Sequence, residues 1–239
     1  MGLFSDQTVL VTGASGGVGE AVVRRLGEQG ANVCLTGRNR ERLEEIAAHL
    51  PAKNGQCFPA DLTVARELEE AVQRILEKNQ RLDALIHCAA VIVMDPVAIA
   101  TPQDFDRQFQ TNVLAPFRLT QLLLPTLISS QGQVVFVNSS AGREARAGVS
   151  QYAATKHALK AVADSLRDEC NELGVRVCSL FLGSTATAMQ AAVRAQQQRP
   201  YHPDRLIQPD DVAEMIAAVL ALPRTAEVTD VVLRPMMKA

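Results

Sequence analysis

Residues 12–20 read TGASGGVGE, directly after the apolar run Thr8–Val11 and directly before a helix-like stretch, GEAVVRRLGEQG. Gly13, Gly16, Gly17 and Gly19 crowd this short passage. Glycines let a backbone turn tightly and come close to a partner, and the start of the following helix offers free N–H groups and a positive dipole end, a setting suited to phosphate. An ordinary glycine-rich turn between strand and helix has the same composition, so the loop alone leaves both readings open. Its spacing is not GxGxxG, because Ser15 stands at the second glycine position.

The same strand-then-helix order repeats outward from this loop. NVCLTG, GQCFPAD, DALIHCAA, QVVFVNSS, VRVCSLFLG and TDVVLRP read as further strands. Between them, Leu43, Ile46, Ala47 and Leu50, then Leu68, Val72, Ile75 and Leu76, recur at helical spacing. Longer helices are expected from about Pro102 to Leu127 and from Tyr152 to Leu173, and PDDVAEMIAAVLALP opens with proline and aspartates, as helices do. The strands are continuously apolar rather than alternating, which marks burial on both faces. Strands of that kind alternating with helices predict an α/β protein with a doubly wound parallel sheet of about seven strands, a single domain over 1–239. Ligands of such sheets bind beyond the carboxyl ends of the strands.

Composition narrows the function. The 239 residues are 47% hydrophobic and 21% charged with a formal net charge of -2, so no general basic field recruits nucleic acid. Cys34, Cys57, Cys88, Cys170 and Cys178 form no CxxC pair and do not cluster with the four histidines, so buried reduced thiols are expected rather than disulfides or a metal site. No signal peptide is expected in MGLFSDQTVLVTG, and ALIHCAAVIVM is too short to span a bilayer. A cytoplasmic protein without nucleic-acid or membrane partners is the expectation.

QYAATKHAL, from Gln151, carries the chemistry. Tyr152 and Lys156 are four apart and share a helix face. An unperturbed phenol has a pKa of about 10, too high for proton exchange near neutrality. An ammonium about 4 Å away, at an effective dielectric of about 20, favours the phenolate by roughly 4 kcal/mol, about a thousandfold in acidity before desolvation takes some back. A tyrosine so placed can trade a proton with a carbonyl or alcohol oxygen; equally, YxxxK describes a packed tyrosine beside a solvated lysine. Ser139 or Ser140, ending the fifth strand, can donate to a substrate oxygen or merely cap a turn. Asn112 lies beside the inward stripe of Phe105, Phe109 and Val113. Pro116 lacks the N–H that would bond the Asn112 carbonyl in a helix, which leaves that carbonyl a free acceptor for a water relaying protons to Lys156.

Asn112, Ser139, Tyr152 and Lys156, with TGxxxGxG, together resemble the short-chain dehydrogenase/reductase family in order and spacing over nearly the whole chain. The resemblance implies a Rossmann-type domain and hydride transfer between a nicotinamide and a carbonyl or secondary alcohol. It makes Tyr152 the acid/base, Ser139 the group that polarises the oxygen, and Lys156 also a holder of the nicotinamide ribose. It implies cofactor contacts from Gly13, Ser15, Gly17, Val18, Gly19, Asp61, Leu62, Ala89, Thr185 and Thr187, with Asp61 near the adenine. Arg38 ends the second strand where no carboxylate occurs before Glu41, and can fork onto a 2′-phosphate or simply start a helix in solvent; within the family it implies NADP(H). An NAD-preferring dehydrogenase and a non-catalytic NADP(H)-binding regulator are the alternatives. The resemblance also implies a homodimer or homotetramer built partly on the helices around Asn112 and Tyr152. The chain departs from the family at HCAA, where NNAG is usual, at Leu182, where proline precedes the glycine, and in a tail without paired glycines. His87 and Cys88 are expected to fill core. Residues 188–207 are expected to govern the substrate, as a mobile lid or a plain surface loop.

Overall fold

A computed structural model describes residues 2–51 and 54–237. All seven expected strands form: β1 Thr8–Thr12, β2 Asn32–Gly37, β3 Gly55–Pro59, β4 Ala84–His87, β5 Gln133–Ser139, β6 Arg176–Leu182 and β7 Asp230–Leu233. They make one sheet in the order β3-β2-β1-β4-β5-β6-β7, every neighbour parallel. The order reverses between β1 and β4, so the carboxyl ends of those two strands flank the crevice where such sheets take ligands.

Successive strand residues face opposite sides, and two cores result. Val9 and Val11 of β1 face α1 (Gly17–Glu28) and α2 (Arg40–Ala48), a layer completed by α8 (Pro209–Ala221) through Val212 and Ile216. Leu10 faces the other way, into a core built with Leu68, Val72 and Ile75 of α3 (Ala65–Lys78), Leu119, Leu123 and Leu127 of α5 (Ala115–Ser130), and Leu159 and Ala163 of α6 (Ser150–Cys170). The stretch Pro102–Ser130 is long and apolar enough to cross a membrane. Its Leu119, Leu123 and Leu127 are buried in this second core instead.

That stretch is not one uniform helix. Between α4 (Pro102–Phe109) and α5, residues Gln110–Leu114 widen into a π-helical turn, with the Ala115 amide bonded to the carbonyl of Gln110. Pro116, second in α5, is the physical reason. It withholds the amide that residue 112 would receive, and the turn around the missing bond opens. A second difference from expectation lies in 188–207, where Ala188–Gln196 form a helix, α7, capped by the Thr187 hydroxyl on the Gln190 amide at 3.2 Å. The final Lys238 and Ala239 of the tail lie outside the described residues.

Thr12 joins the two sides of the crevice. Its hydroxyl accepts from the amides of both Cys88 and Ala89 at 3.1 Å, just past β4. Replacing Thr12 with valine keeps shape and β-propensity but leaves two amides without that acceptor. Loss of about 1–3 kcal/mol is expected. Urea unfolding followed by circular dichroism tests this, and an unchanged midpoint would show that the Thr12 bonds add nothing to stability.

Candidate active site

The glycine loop is shaped by contacts that no larger residue allows. Gly13 has φ +62, and a Cβ there would lie 2.8 Å from the backbone of Ala89. A Cβ on Gly19 would lie 2.2 Å from the Gly13 carbonyl oxygen, and one on Gly17 would lie 3.0 Å from the Thr187 methyl. The loop therefore folds under itself and presses against the β4 end and the start of α7, leaving a bare backbone cradle at the amino end of α1.

That cradle is one end of a cleft of about 1010 Å³. Gly13, Ser15, Gly17, Val18, Gly19, Arg38, Asp61, Leu62, Ala89, Thr185 and Thr187 all line it, as do Ser139, Tyr152 and Lys156. The sequence-expected residues thus converge from six strand ends onto one space. Arg38 is exposed at the β2 end and makes no ion pair among the described residues. Asp61 receives the amide and hydroxyl of Thr63 at 2.9 and 2.6 Å, so it also makes a turn. Burial opposes its charge, but the Thr63 bonds and the nearby Arg38 charge outweigh that and hold it below the usual carboxylate range.

Tyr152 and Lys156 project together from the first turns of α6, both buried, with the ammonium 5.8 Å from the phenol ring centroid. Ser139 ends β5 and lines the cleft with them. Ser140 instead begins a short 3-10 turn, Ser140–Gly142, which the Ser139 hydroxyl caps by accepting from the Ala141 amide at 3.2 Å.

The electrostatics differ from the simple pair expected from sequence. Burial pushes Tyr152 up to about 12 and drives Lys156 down to about 8. The amine points at the Val137 carbonyl, 3.2 Å away, rather than at the phenol oxygen. Burial therefore dominates both groups in the free protein, with the phenol raised and the amine lowered. At neutral pH Tyr152 is a protonated donor beside a charged amine.

Asn112 does not face the cleft. Its side-chain oxygen accepts from the Val91 amide at 2.9 Å, and its nitrogen donates to the Val91 carbonyl at 2.9 Å and to the Thr155 hydroxyl at 3.1 Å. One helical turn earlier, buried Gln108 accepts from the Val93 amide at 3.0 Å. Two side-chain amides thus hold residues 91–93 as a neighbouring strand would, and Val91, Ile92 and Met94 form cleft wall. The Gln108 role went unread in the sequence, although its four-residue spacing from Asn112 was a usable signal. Asn138 also went unread. Buried beneath the site, it donates to the Lys156 carbonyl at 3.1 Å and accepts from the Ser139 amide at 2.8 Å, fixing β5 to α6.

Burial holds His87 and Cys88 in their uncharged forms. The His87 ring stacks on Phe136 at 4.9 Å and bonds the Thr120 hydroxyl at 2.9 Å, and burial lowers its pKa to about 3. Burial raises the Cys88 thiol to about 12.

Lys156 makes a stability prediction. Its folded pKa of about 8 lies below the ordinary 10.5. Below pH 8 both folded and unfolded chains hold the proton, and the folded state carries the whole cost of a buried charge. Between 8 and 10.5 only the unfolded chain binds it, so stability rises with pH. Lys156→Met is expected to be more stable than the parent at pH 7 by about 2 kcal/mol, after allowing for the abandoned Val137 carbonyl. Melting curves from pH 7 to 10 decide the matter; a variant less stable at pH 7, or one keeping the parent's rise, would contradict it.

Comparison with known proteins agrees with this geometry. The uncharacterized oxidoreductase YciK of Escherichia coli is 36% identical over 217 residues, 88% of this chain and 84% of its own. A short chain dehydrogenase from Escherichia coli CFT073, solved with NADPH, superposes with a TM-score of 0.89 at 33% identity, covering 96% of this chain and 97% of that one. A metagenomic short-chain oxidoreductase, solved with NADP, superposes at 0.83 with 27% identity over 99% of this chain and 100% of its own. The sequence profile of the short chain dehydrogenases matches residues 7–198. With that match added to the sheet order and the glycine cradle, the chain belongs to the short-chain dehydrogenase family.

Proposed function

We propose that the protein is an NADP(H)-dependent carbonyl reductase or alcohol dehydrogenase. The observation that carries the proposal is one cleft holding a glycine cradle and Arg38 at one end and half-buried Ser139 with buried Tyr152 and Lys156 farther along. NADP(H), when bound, supplies or accepts the hydride. Relatives solved with NADP or NADPH support that cofactor. So does the fit of the chain: a bare loop in which a Cβ at Gly13 or Gly19 would strike backbone, and an Arg38 guanidinium that makes no ion pair among the described residues.

The residues divide the remaining work. Ser139 positions the substrate oxygen and polarises it. Tyr152 gives that oxygen its proton. A phenol pushed up to about 12 by burial stays protonated at neutral pH and is still far more acidic than the alcohol it forms. Lys156, charged below about 8, holds the nicotinamide ribose and passes the replacement proton toward the phenol. The Asn112 carbonyl, left without its helical amide by Pro116, holds the water that reaches Lys156. Asn112, Ser139, Tyr152 and Lys156 form the catalytic set on this reading. Self-association through α5 and α6 belongs to it as well, supported by Phe117 and Leu122, which stand exposed on α5; a cytoplasmic location is part of the same proposal.

Two outcomes are expected. A panel of ketones and aldehydes with NADPH, followed by absorbance, should reveal turnover that Tyr152→Phe lowers by about a hundred- to ten-thousandfold while NADPH still binds. No turnover across a broad panel would favour a cofactor-binding regulator. Arg38→Asp should weaken NADPH by about ten- to a hundredfold and leave NADH less affected. An unchanged preference would remove Arg38 from the account.

A further inference from the structure

Three walls of the cleft grade from buried polar or apolar residues at the floor to arginine at the rim. On the β5–α6 side, Tyr152 is buried, Val149 half-buried and Arg146 exposed, and the Val149 amide bonds the Arg146 carbonyl at 3.4 Å. On the α4 side, half-buried Thr111 bonds the carbonyl of exposed Arg107 at 3.0 Å, one turn farther out. On α7, Val193 is buried and Arg194 half-buried, with Arg199 exposed just beyond the helix. All of these residues line the same cleft, away from the Arg38 end.

Arg146 is balanced by Glu144 at 3.5 Å. Arg107, Arg194 and Arg199 have no ion-pair partner among the described residues. The chain as a whole carries a net charge of -2, so this rim runs against the average. The facing walls are also tied together, because the Gln196 side chain on α7 donates to the Met94 carbonyl at 3.3 Å. Like charges brought from separate segments onto one mouth repel one another, and an anion between them relieves that repulsion.

We infer that the substrate is an anionic carbonyl compound. Its carbonyl sits at Tyr152 and Ser139, an apolar segment lies along Val149, Ile92 and Val193, and a carboxylate or phosphate meets Arg107, Arg194 and Arg199. This rests on the carbonyl-reductase reading and names its substrate class.

The test uses methyl ketones ending in a carboxylate, from levulinate upward in chain length, each against its methyl ester, and acetol phosphate against acetol. Turnover is read with NADPH, and binding to the NADPH-loaded protein is read by calorimetry. At low ionic strength the better anion of the series should exceed its neutral partner in kcat/KM by about tenfold, and added salt should shrink that ratio. The double variant Arg194→Gln, Arg199→Gln should reduce the ratio about tenfold while NADPH affinity holds. The carboxylate and phosphate arms identify which anion the rim takes. Neutral partners equal or better throughout, or a variant that weakens NADPH instead, would overturn the inference. Anions that bind and lose binding in the variant, with no ketone reduced, would sustain the anion site and defeat the carbonyl-reductase reading. If no anion binds, the inference fails whatever the turnover.

Discussion

Burial of an amine and a phenol side by side at the carboxyl end of the sheet is the constraint that the rest of the site answers to. Neither group is comfortable there: Lys156 loses basicity and Tyr152 loses acidity. Such a pair persists only where the backbone around it is over-determined. Asn138 supplies much of that determination by fastening the Lys156 carbonyl to the start of the Ser139 segment. Gly142 does the rest, since a Cβ there would lie 2.7 Å from both the Asn138 side-chain oxygen and the Lys156 carbonyl oxygen. The turn after β5 must therefore lie flat on α6, and that closeness places the serine in the cleft with the phenol.

The fold was open to sequence reading because its signal is collective. Seven apolar runs and the helices between them repeat one theme, and a wrong boundary in one would not have changed the sheet. The candidate site was legible for a similar reason: Ser139, Tyr152 and Lys156 follow a spacing that only their shared position makes meaningful. What escaped was single-bond information. Thr12 reads as an ordinary β-branched strand residue, and nothing local shows that its hydroxyl serves two amides 76 and 77 positions away. The π-helical turn escaped because apolar spacing barely distinguishes it from α-helix, although Pro116 marked where a bond had to be missing. Helix α7 was obscured by Pro200 and Pro203 beyond it, while its own cues, a threonine cap and a run of alanine and glutamine, were present.

The balance of the electrostatics is what sequence reasoning could not weigh. A phenol and an ammonium four residues apart suggest attraction, and in a half-solvated setting attraction would win. The alternating chemistry of α6 does not reveal how completely the pair is covered. Burial is a property of everything that packs on it, including Val137, Cys88 and the β5 turn. Once both groups are desolvated, each is pushed toward neutrality, and the pair becomes a proton store rather than a ready-made phenolate.

This has a consequence for the division of the cleft. The floor presents a protonated phenol as donor to a neutral carbonyl in its ground state, and an anionic end of a substrate buried there would lose its hydration. Negative charge is better tolerated where water reaches and guanidinium groups wait. The cleft offers two such places, at Arg38 and at the rim formed by Arg107, Arg194 and Arg199. The buried proton pair and the two basic ends are therefore complementary parts of one electrostatic arrangement. On the proposed reading, anions are held at the extremities, and the negative charge that develops at the centre is the one that Tyr152 neutralises as it forms.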